Sequence, residues 1–417
     1  MEEPTMVNSL KSNWDVVVAG GGPAGFFAAI RCAELNPRLR VLILEKASQP
    51  LGKVLISGGG RCNVTHACFD PAKLVTFYPR GGSELRGALS RFQPRDTVEW
   101  FESRGVKLKT EADGRVFPVT DSAETVAECL RGAAKKAGVW VQVGASLLRA
   151  EKSPGGGFRL NVRKEAEPFL LQSKKLLVAT GSDSKTREVV RSLGHSIVEP
   201  VPSLFTFNVK DTRIEGLAGV SVEDVTLRMG AVTARGALLI THWGLSGPAV
   251  LRCSAWGARD LHARKYQAKL TVNWLGDYSM ERAVDVLTRS KDWKENARKK
   301  IGVTTAFSQV PARLWKHLTR FIGEKNWADV SKAELRRLAQ ELIAGEFEIT
   351  GKGQFKEEFV TAGGVSLKEV DFRTLQSRLV DGLFFAGEVL DIDGITGGFN
   401  FQASWTTGWL AGTALAE

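Results

Sequence analysis

Three glycines near the start of the chain, Gly20, Gly22 and Gly25, stand in the order G-x-G-x-x-G, with Pro23 and Ala24 between the last two. This spacing suits a dinucleotide. The first glycine permits a tight turn, the second lets backbone approach a pyrophosphate, and the third lets a helix pack close to a strand. The N-terminus of the helix that follows presents free N–H groups and a positive dipole end to phosphate. Glu45, twenty residues after Gly25, is placed to accept hydrogen bonds from a ribose.

A second glycine-rich run spans Lys53 to His66 and includes Ser57, Gly58, Gly59, Gly60, Arg61, Cys62 and Asn63. Its glycines let backbone come near something flat or charged. Ser57 and Asn63 add donors, while Lys53 and Arg61 can balance phosphate, Arg61 in a bidentate way. The alternative is an ordinary surface loop. Cys62 and His66 also raise a thiolate–imidazole pair, against the plainer reading of Cys62 as a small buried hydrophobe. His242, in Thr241-His242-Trp243-Gly244, is a candidate base or substrate contact; a hydrogen-bonded structural histidine is the competing reading. The five histidines are too scattered for a metal cluster, so none is expected.

Near the end, Gly387 and Glu388 follow the apolar run Leu383–Ala386, and Asp391, Gly397, Gly398, Phe399 and Asn400 come next. Glu388 or Asp391 could hold ribose or ribityl hydroxyls. N–H groups at Gly398–Asn400 could face the edge of a bound cofactor where negative charge develops.

These residues need elements to carry them. Trp14–Ala19 reads as a buried parallel strand, Phe26–Leu35 as a helix and Arg38–Leu44 as a second strand. Further along, Arg95–Arg104 and Ser122–Ala137 read as helices, the latter capped by Asp121 or Ser122. Lys175–Gly181 is a strand whose end, Ala179-Thr180-Gly181, is a candidate neighbour of the dinucleotide, because ligands in such sheets sit outside the carboxyl ends of strands; a strand-terminating glycine without ligand contact is the competing reading. After Pro200 and Pro202 the pattern becomes short strands: Leu204–Val209, Val220–Val225, Arg228–Ala234, Ala237–Thr241 and Lys269–Trp274. Met280 to about Gly345 is helical in character. The last helix runs from Phe401 to about Leu415. The expected organisation is 1–203 and 351–417 as two parts of one nucleotide-binding domain. Between them lie a β-rich substrate unit over 204–278 and a helical unit over 279–350.

Composition narrows the class. With 43% hydrophobic and 25% charged residues the chain is an ordinary globular protein. Five widely spaced cysteines without a C-x-x-C pair argue against a disulfide framework and favour a reducing, cytoplasmic setting. No run approaches the roughly 20 apolar residues of a membrane helix, and residues 1–13 hold no apolar leader core. The net charge of +11 admits RNA as a partner, but the basic residues follow no recognisable nucleic-acid module, and a small-molecule substrate is the simpler expectation.

The chain resembles the HI0933-like (BaiN-like) family of NAD(P)/FAD-dependent flavoproteins. The resemblance is carried by GGGPAGFFAAI at Gly20–Ile30, GKVLISGGGRCNVTH at Gly52–His66 and GRVFPVTD at Gly114–Asp121. Two more stretches are THWGLSGPAVL at Thr241–Leu251 and GLFFAGEVLDIDGITGGFNFQASWTTG at Gly382–Gly408. It implies an α/β, Rossmann-like FAD-binding domain, discontinuous, with inserted β-rich and helical units. Gly20, Gly22, Gly25, Glu45 and Lys46 would surround the adenosine diphosphate part. Arg61, Cys62, Asn63, Gly387, Glu388, Asp391, Gly398, Phe399 and Asn400 would lie near the cofactor. One departure matters: Ala179-Thr180-Gly181 runs on as Ser182-Asp183-Ser184-Lys185, without the glycine-rich stretch many relatives carry. The implied activity is transfer of hydride or electrons between NADPH or NADH and an organic acceptor. No second G-x-G-x-x-G marks a nicotinamide domain. Alternatives are an oxidase of an amine or hydroxyl substrate, an FAD-dependent RNA-modifying enzyme and a non-catalytic flavin-binding protein.

Overall fold

The structure is a computed structural model describing residues 13–164, 167–353 and 360–417. Residues 1–12, which bear on the leader question, and 354–359 lie outside the described residues. The chain divides into two compact units, Met1–Pro200 with Thr361–Glu417, and Val201–Val360.

The first unit is built on a sheet whose parallel strands are Asn13–Ala19, Val41–Leu44, Trp140–Gln142, Glu167–Val178 and Leu383–Phe385. Val16, Val17 and Val18 are fully buried. That is what a parallel strand covered on both faces demands, and it explains the unbroken apolar run. Numbered in chain order the strands lie 3-2-1-4-5 across the sheet. This is Rossmann order, with the reversal between the first and fourth strands. Ala145–Lys152 and Phe158–Lys164 form an antiparallel hairpin that continues onto the fourth strand, turning at Gly155–Gly157.

Two helices brace that sheet. The opening helix, Pro23–Leu35, packs on the closing helix, Phe399–Leu415, through small residues. A Cβ at Gly408 would lie 2.7 Å from the Ala24 carbonyl oxygen, and one at Gly412 2.4 Å from that of Ala28. The closing helix is buried on nearly every side, so it shows no amphipathic period.

The inserted unit contains a closed antiparallel barrel. Its strands, in order around the barrel, are Phe207–Val209, Gly244–Ser246, Val232–Ile240, Ser221–Met229, Ala268–Asn273 and Gly345–Lys352. The expected strand Arg228–Ala234 is instead a hairpin turn: Met229 pairs with Val232, and Gly230 takes φ +56° between them. The helices Met280–Asp292, Ala312–Leu318 and Lys332–Ala344 share one hydrophobic core with the barrel. The strand after them, Gly345–Lys352, closes the barrel against Phe207–Val209. No helix among the described residues is long and apolar enough to cross a membrane.

Candidate cofactor and active site

The opening strand ends at Ala19, and the chain turns through Gly20 with φ +111°. A Cβ there would meet the Ala179 carbonyl oxygen at 2.4 Å and Thr180 Cα at 2.9 Å. Two strand ends, Gly20 and Ala179-Thr180-Gly181, therefore meet at the reversal point of the sheet. Gly25 is equally constrained, since its Cβ would lie 2.0 Å from the Gly20 carbonyl oxygen. Gly22 is different: nothing lies within 4 Å of its Cβ position. It is the N-cap of the opening helix, with Pro23 in the first turn and no side chain capping the end. The glycines that let the chain fold are thus separate from the glycine that opens onto space.

Glu45 closes one side of this cradle. Its carboxylate accepts from the Gly21 N–H and from the Ala47 N–H, each at 2.8 Å. These bonds hold it at the strand end rather than free in solvent. Lys46 pairs with Asp183 at 2.7 Å. Burial acts to raise the Asp183 carboxyl, but bonds from Lys46 and Thr186 outweigh it and leave the group below its ordinary value. Lys53 is ion-paired with Glu388, whose other oxygen accepts from the Thr361 N–H at 3.0 Å. A Cβ at Gly181 would lie 3.4 Å from that Glu388 carboxylate and 3.9 Å from Lys53 Nζ. Residues from four distant parts of the sequence thus converge at the carboxyl edge of the sheet.

The second glycine run is a helix, Gly52–Gly60, that breaks at Ser57, Gly58 and Gly59. Ser57 turns its hydroxyl inward to the Val54 carbonyl at 2.8 Å. Gly59 and Gly60, at φ +69° and +84°, have open space where a side chain would be. Asn63 reaches the closing helix: with its amide oriented to satisfy both ends, its oxygen accepts from the Gly398 N–H at 2.9 Å and its nitrogen donates to the Thr65 carbonyl at 2.9 Å. Gly398 permits this approach, as a Cβ there would lie 2.5 Å from the Thr65 oxygen. Below them, the Thr65 and Thr97 hydroxyls both donate to the Gln402 oxygen, at 2.6 and 2.9 Å. This buried network pins the loop to the first turn of the closing helix.

The structure bears on three of these readings. Arg61 does not stand ready for phosphate. Its guanidinium bonds Glu111 at 2.8 Å, approaches Asp121 at 3.5 Å and lies 4.0 Å over the Phe117 ring. The Glu111 bond leads in holding it protonated, and the two carboxylates compensate its charge. Of the two residues offered as the helix cap, Ser122 takes the cap position, without a side-chain bond, while Asp121 pairs with Lys109 and Arg61. Cys62 is fully buried, and burial pushes its thiol up to about 12. A thiol so placed is held protonated at neutral pH, which favours the reading of Cys62 as a small buried hydrophobe. His66 is occupied elsewhere, stacked on Phe399 with centroids 4.8 Å apart and with Nε2 3.1 Å from the Asp113 carbonyl oxygen. Cys62→Ala is therefore expected to leave the flavin spectrum and its rate of reduction unchanged. A stopped-flow trace slowed well beyond error would restore Cys62 to the chemistry.

The remaining candidates divide. Gly387 donates its N–H to the Thr407 hydroxyl at 2.9 Å, and its Cβ position lies 2.8 Å from Ala24 Cβ, so it joins the two bracing helices. The Asn400 side chain bonds both the N–H and the carbonyl of Gly394, at 2.8 and 2.9 Å, fixing the loop before the closing helix. The Asp391 N–H donates to the Val365 carbonyl at 3.2 Å. Gly397 and Phe399 form the turn itself, at φ +132° for the glycine. His242 belongs to the inserted unit, exposed at the tip of a turn closed by the Thr241 N–H to the Gly244 carbonyl at 2.8 Å.

Some partnerships carried no sequence signal. Arg80 and Asp393 form a bidentate ion pair, with the Asp393 side chain wholly buried. Tyr78 donates its hydroxyl to the Phe399 carbonyl at 2.7 Å. His195 bridges Glu369 at 3.0 Å and Ser377 at 2.8 Å, as a hydrogen-bonded structural histidine.

The cradle fits a dinucleotide on its own geometry. Thr180 Oγ1 is buried without a hydrogen-bond partner among the described residues, against the Gly20 turn that leads into the open Gly22 and the uncapped helix end. A phosphorylated group at that point would supply what these atoms lack. Fold and cradle, together with the family match, define an FAD-dependent oxidoreductase. The chain belongs to the HI0933-like family, whose Rossmann-domain model matches residues 14–414. Over 414 residues it is 28% identical to the ribosomal RNA dihydrouridine synthase of Escherichia coli (strain K12), a match covering 95% of this chain and 96% of that one. It is 29% identical over 414 residues to the 3-dehydro-bile acid delta(4,6)-reductase of Clostridium scindens, covering 96% and 98%. Among solved structures, 3-ketosteroid-delta4-(5alpha)-dehydrogenase from Rhodococcus jostii RHA1 is similar in fold, with a TM-score of 0.54, 16% identity and 99% of each chain covered.

Proposed function

We propose that this protein is a reductase that saturates a carbon–carbon double bond conjugated to a carbonyl, drawing electrons from NADPH or NADH. The observation that carries this reading is the chemistry shared by the two full-length relatives. Dihydrouridine is uridine with hydrogen added across a ring double bond beside a carbonyl, and a 3-dehydro delta(4,6) compound has its double bonds conjugated to a ketone. FAD, when bound, supplies the two-electron step between nicotinamide and acceptor.

The chain's own residues position and polarise. Gly20, Gly22 and Gly25, with Pro23 and Ala24, shape the pyrophosphate cradle. Glu45 orients the ribose, and Ala179, Thr180 and Gly181 form the opposite wall. Lys53 and Glu388 hold hydroxyls between the two ends. The N-terminus of the closing helix at Gly398 and Phe399, held by Asn63, provides a positive dipole end where negative charge accumulates. This last role suits the helix better than Arg61, whose charge is already paired.

The test is anaerobic. The holoenzyme is reduced chemically and mixed with a panel of conjugated enones and uracil derivatives. Return of the oxidised spectrum, with a product heavier by two hydrogens, is the expected result. A spectrum restored by oxygen but by none of the conjugated alkenes would sink this reading and favour the oxidase. A second reading, in which the acceptor is a base carried by RNA, is favoured by the +11 charge and by the RNA-directed relative.

A further inference from the structure

Charge is unevenly placed along the inserted unit. Residues 201–360 hold 25 Lys and Arg against 18 Asp and Glu. Between 291 and 325 there are nine basic residues and three acidic ones, so this short stretch carries +6 of the unit's +7.

Hydrogen bonds tie the two ends of the stretch together. The Ile301 N–H donates to the Lys325 carbonyl at 3.1 Å, the Trp327 N–H to the Lys299 carbonyl at 3.0 Å, and Trp315 Nε1 to the Ile301 carbonyl at 2.6 Å. Trp315 and Trp327 are wholly buried and stack with ring centroids 6.3 Å apart. The basic side chains remain outside. Lys294, Arg298 and Lys299 are exposed and make no ion pair among the described residues. Arg313 and Arg320 donate to the backbone carbonyls of Gly216 and Thr212, at 2.8 and 3.3 Å. Such bonds aim a guanidinium without neutralising it. Trp293, 60% exposed, lies next to Lys294 in the chain.

An anionic membrane would need an apolar stripe turned outward beside the charge. Among the described residues the stretch exposes only two large apolar side chains, Trp293 and Val303, ten residues apart, and the helix Met280–Asp292 before it turns Ala283 and Leu287 into the core. We propose that this face docks the phosphate backbone of RNA, with Trp293 offering a stacking platform to an unpaired base. Uncompensated cations on a fixed frame release counterions when they meet phosphates, and base–aromatic stacking tolerates any sequence. For its biological sense the proposal rests on the RNA-borne reading above, but binding is measured without redox chemistry, so either can fail alone.

The experiment uses flavin-loaded full-length protein and a labelled hairpin RNA, titrated over a range of salt. Binding should weaken linearly on a log–log salt plot. The triple variant K294E/R298E/K299E should lose about tenfold or more in affinity, and its slope should shrink by about 3, near one unit per phosphate contact. Trp293→Ala should weaken binding while leaving the slope unchanged, since it carries no charge. Unchanged affinity and slope in the triple variant, with an intact flavin spectrum and melting curve, would overturn the proposal. So would loss of binding to phosphatidylserine vesicles in that variant while RNA binding stayed intact.

Discussion

Gly22→Val is expected to yield a folded protein that has lost its flavin. Gly20 and Gly25 cannot separate folding from binding, because a side chain at either would strike backbone at 2.4 or 2.0 Å. Gly22 can, because its Cβ position has nothing within 4 Å and its φ of −87° suits any residue. The valine methyl groups would occupy the space where the pyrophosphate must approach the helix end. Affinity for FAD should fall by roughly a hundredfold or more, equivalent to about 2.7 kcal/mol or more. Circular dichroism and melting of the apo form should match those of wild-type apoprotein. A Gly22→Val protein that purifies yellow, with wild-type FAD content, would place the phosphates elsewhere.

Asp393→Ala should be the most destabilising single change outside the glycines. The Asp393 side chain is wholly buried, and that of its partner Arg80 is 14% exposed. Removing the acid strands a guanidinium with little water to solvate it. Breaking a buried pair in this way costs about 3–5 kcal/mol. Replacing both residues by apolar ones should recover much of that loss, because two desolvation penalties disappear together. The pair stands immediately before Gly394, whose peptide Asn400 holds, and Ile395 donates its N–H to the Phe77 carbonyl at 2.9 Å. Loosening it should therefore also weaken FAD retention through the closing helix. Denaturant melts of Asp393→Ala and of Arg80→Met/Asp393→Leu check this, and equal losses in both would show that the pair's charge is not the reason.

The sequence revealed most where chemistry and chain neighbours coincide. Gly20, Gly22, Gly25 and Glu45 sit on consecutive elements, so spacing alone exposed the cradle. That the sheet is parallel followed from alternating strands and helices around it, whereas the order of its strands did not. What stayed hidden depends on partners far apart in the chain. Arg61 looked free because Glu111 and Asp121 are 50 and 60 residues away. Arg80 and Asp393 are separated by 313. Gln402 looked like any polar residue in a helix without amphipathic period, yet it collects hydroxyls from Thr65 and Thr97. The barrel was seen only as short strands, since its closing strand, Gly345–Lys352, returns after the helices. Periodicity misplaced one strand because Met229, Gly230, Ala231 and Val232 read as continuous, whereas a glycine with φ +56° turns the chain there.

The most direct test is one spectrum, that of the purified holoprotein titrated with NADPH, and separately with NADH, in the absence of oxygen. An oxidised-flavin band that bleaches rapidly with one equivalent of either nucleotide is the expected result, and it would establish the nicotinamide-linked half of the reaction. A bound flavin that stays oxidised with both nucleotides, yet bleaches on adding an amine or alcohol, would contradict the reductase and make this protein an oxidase.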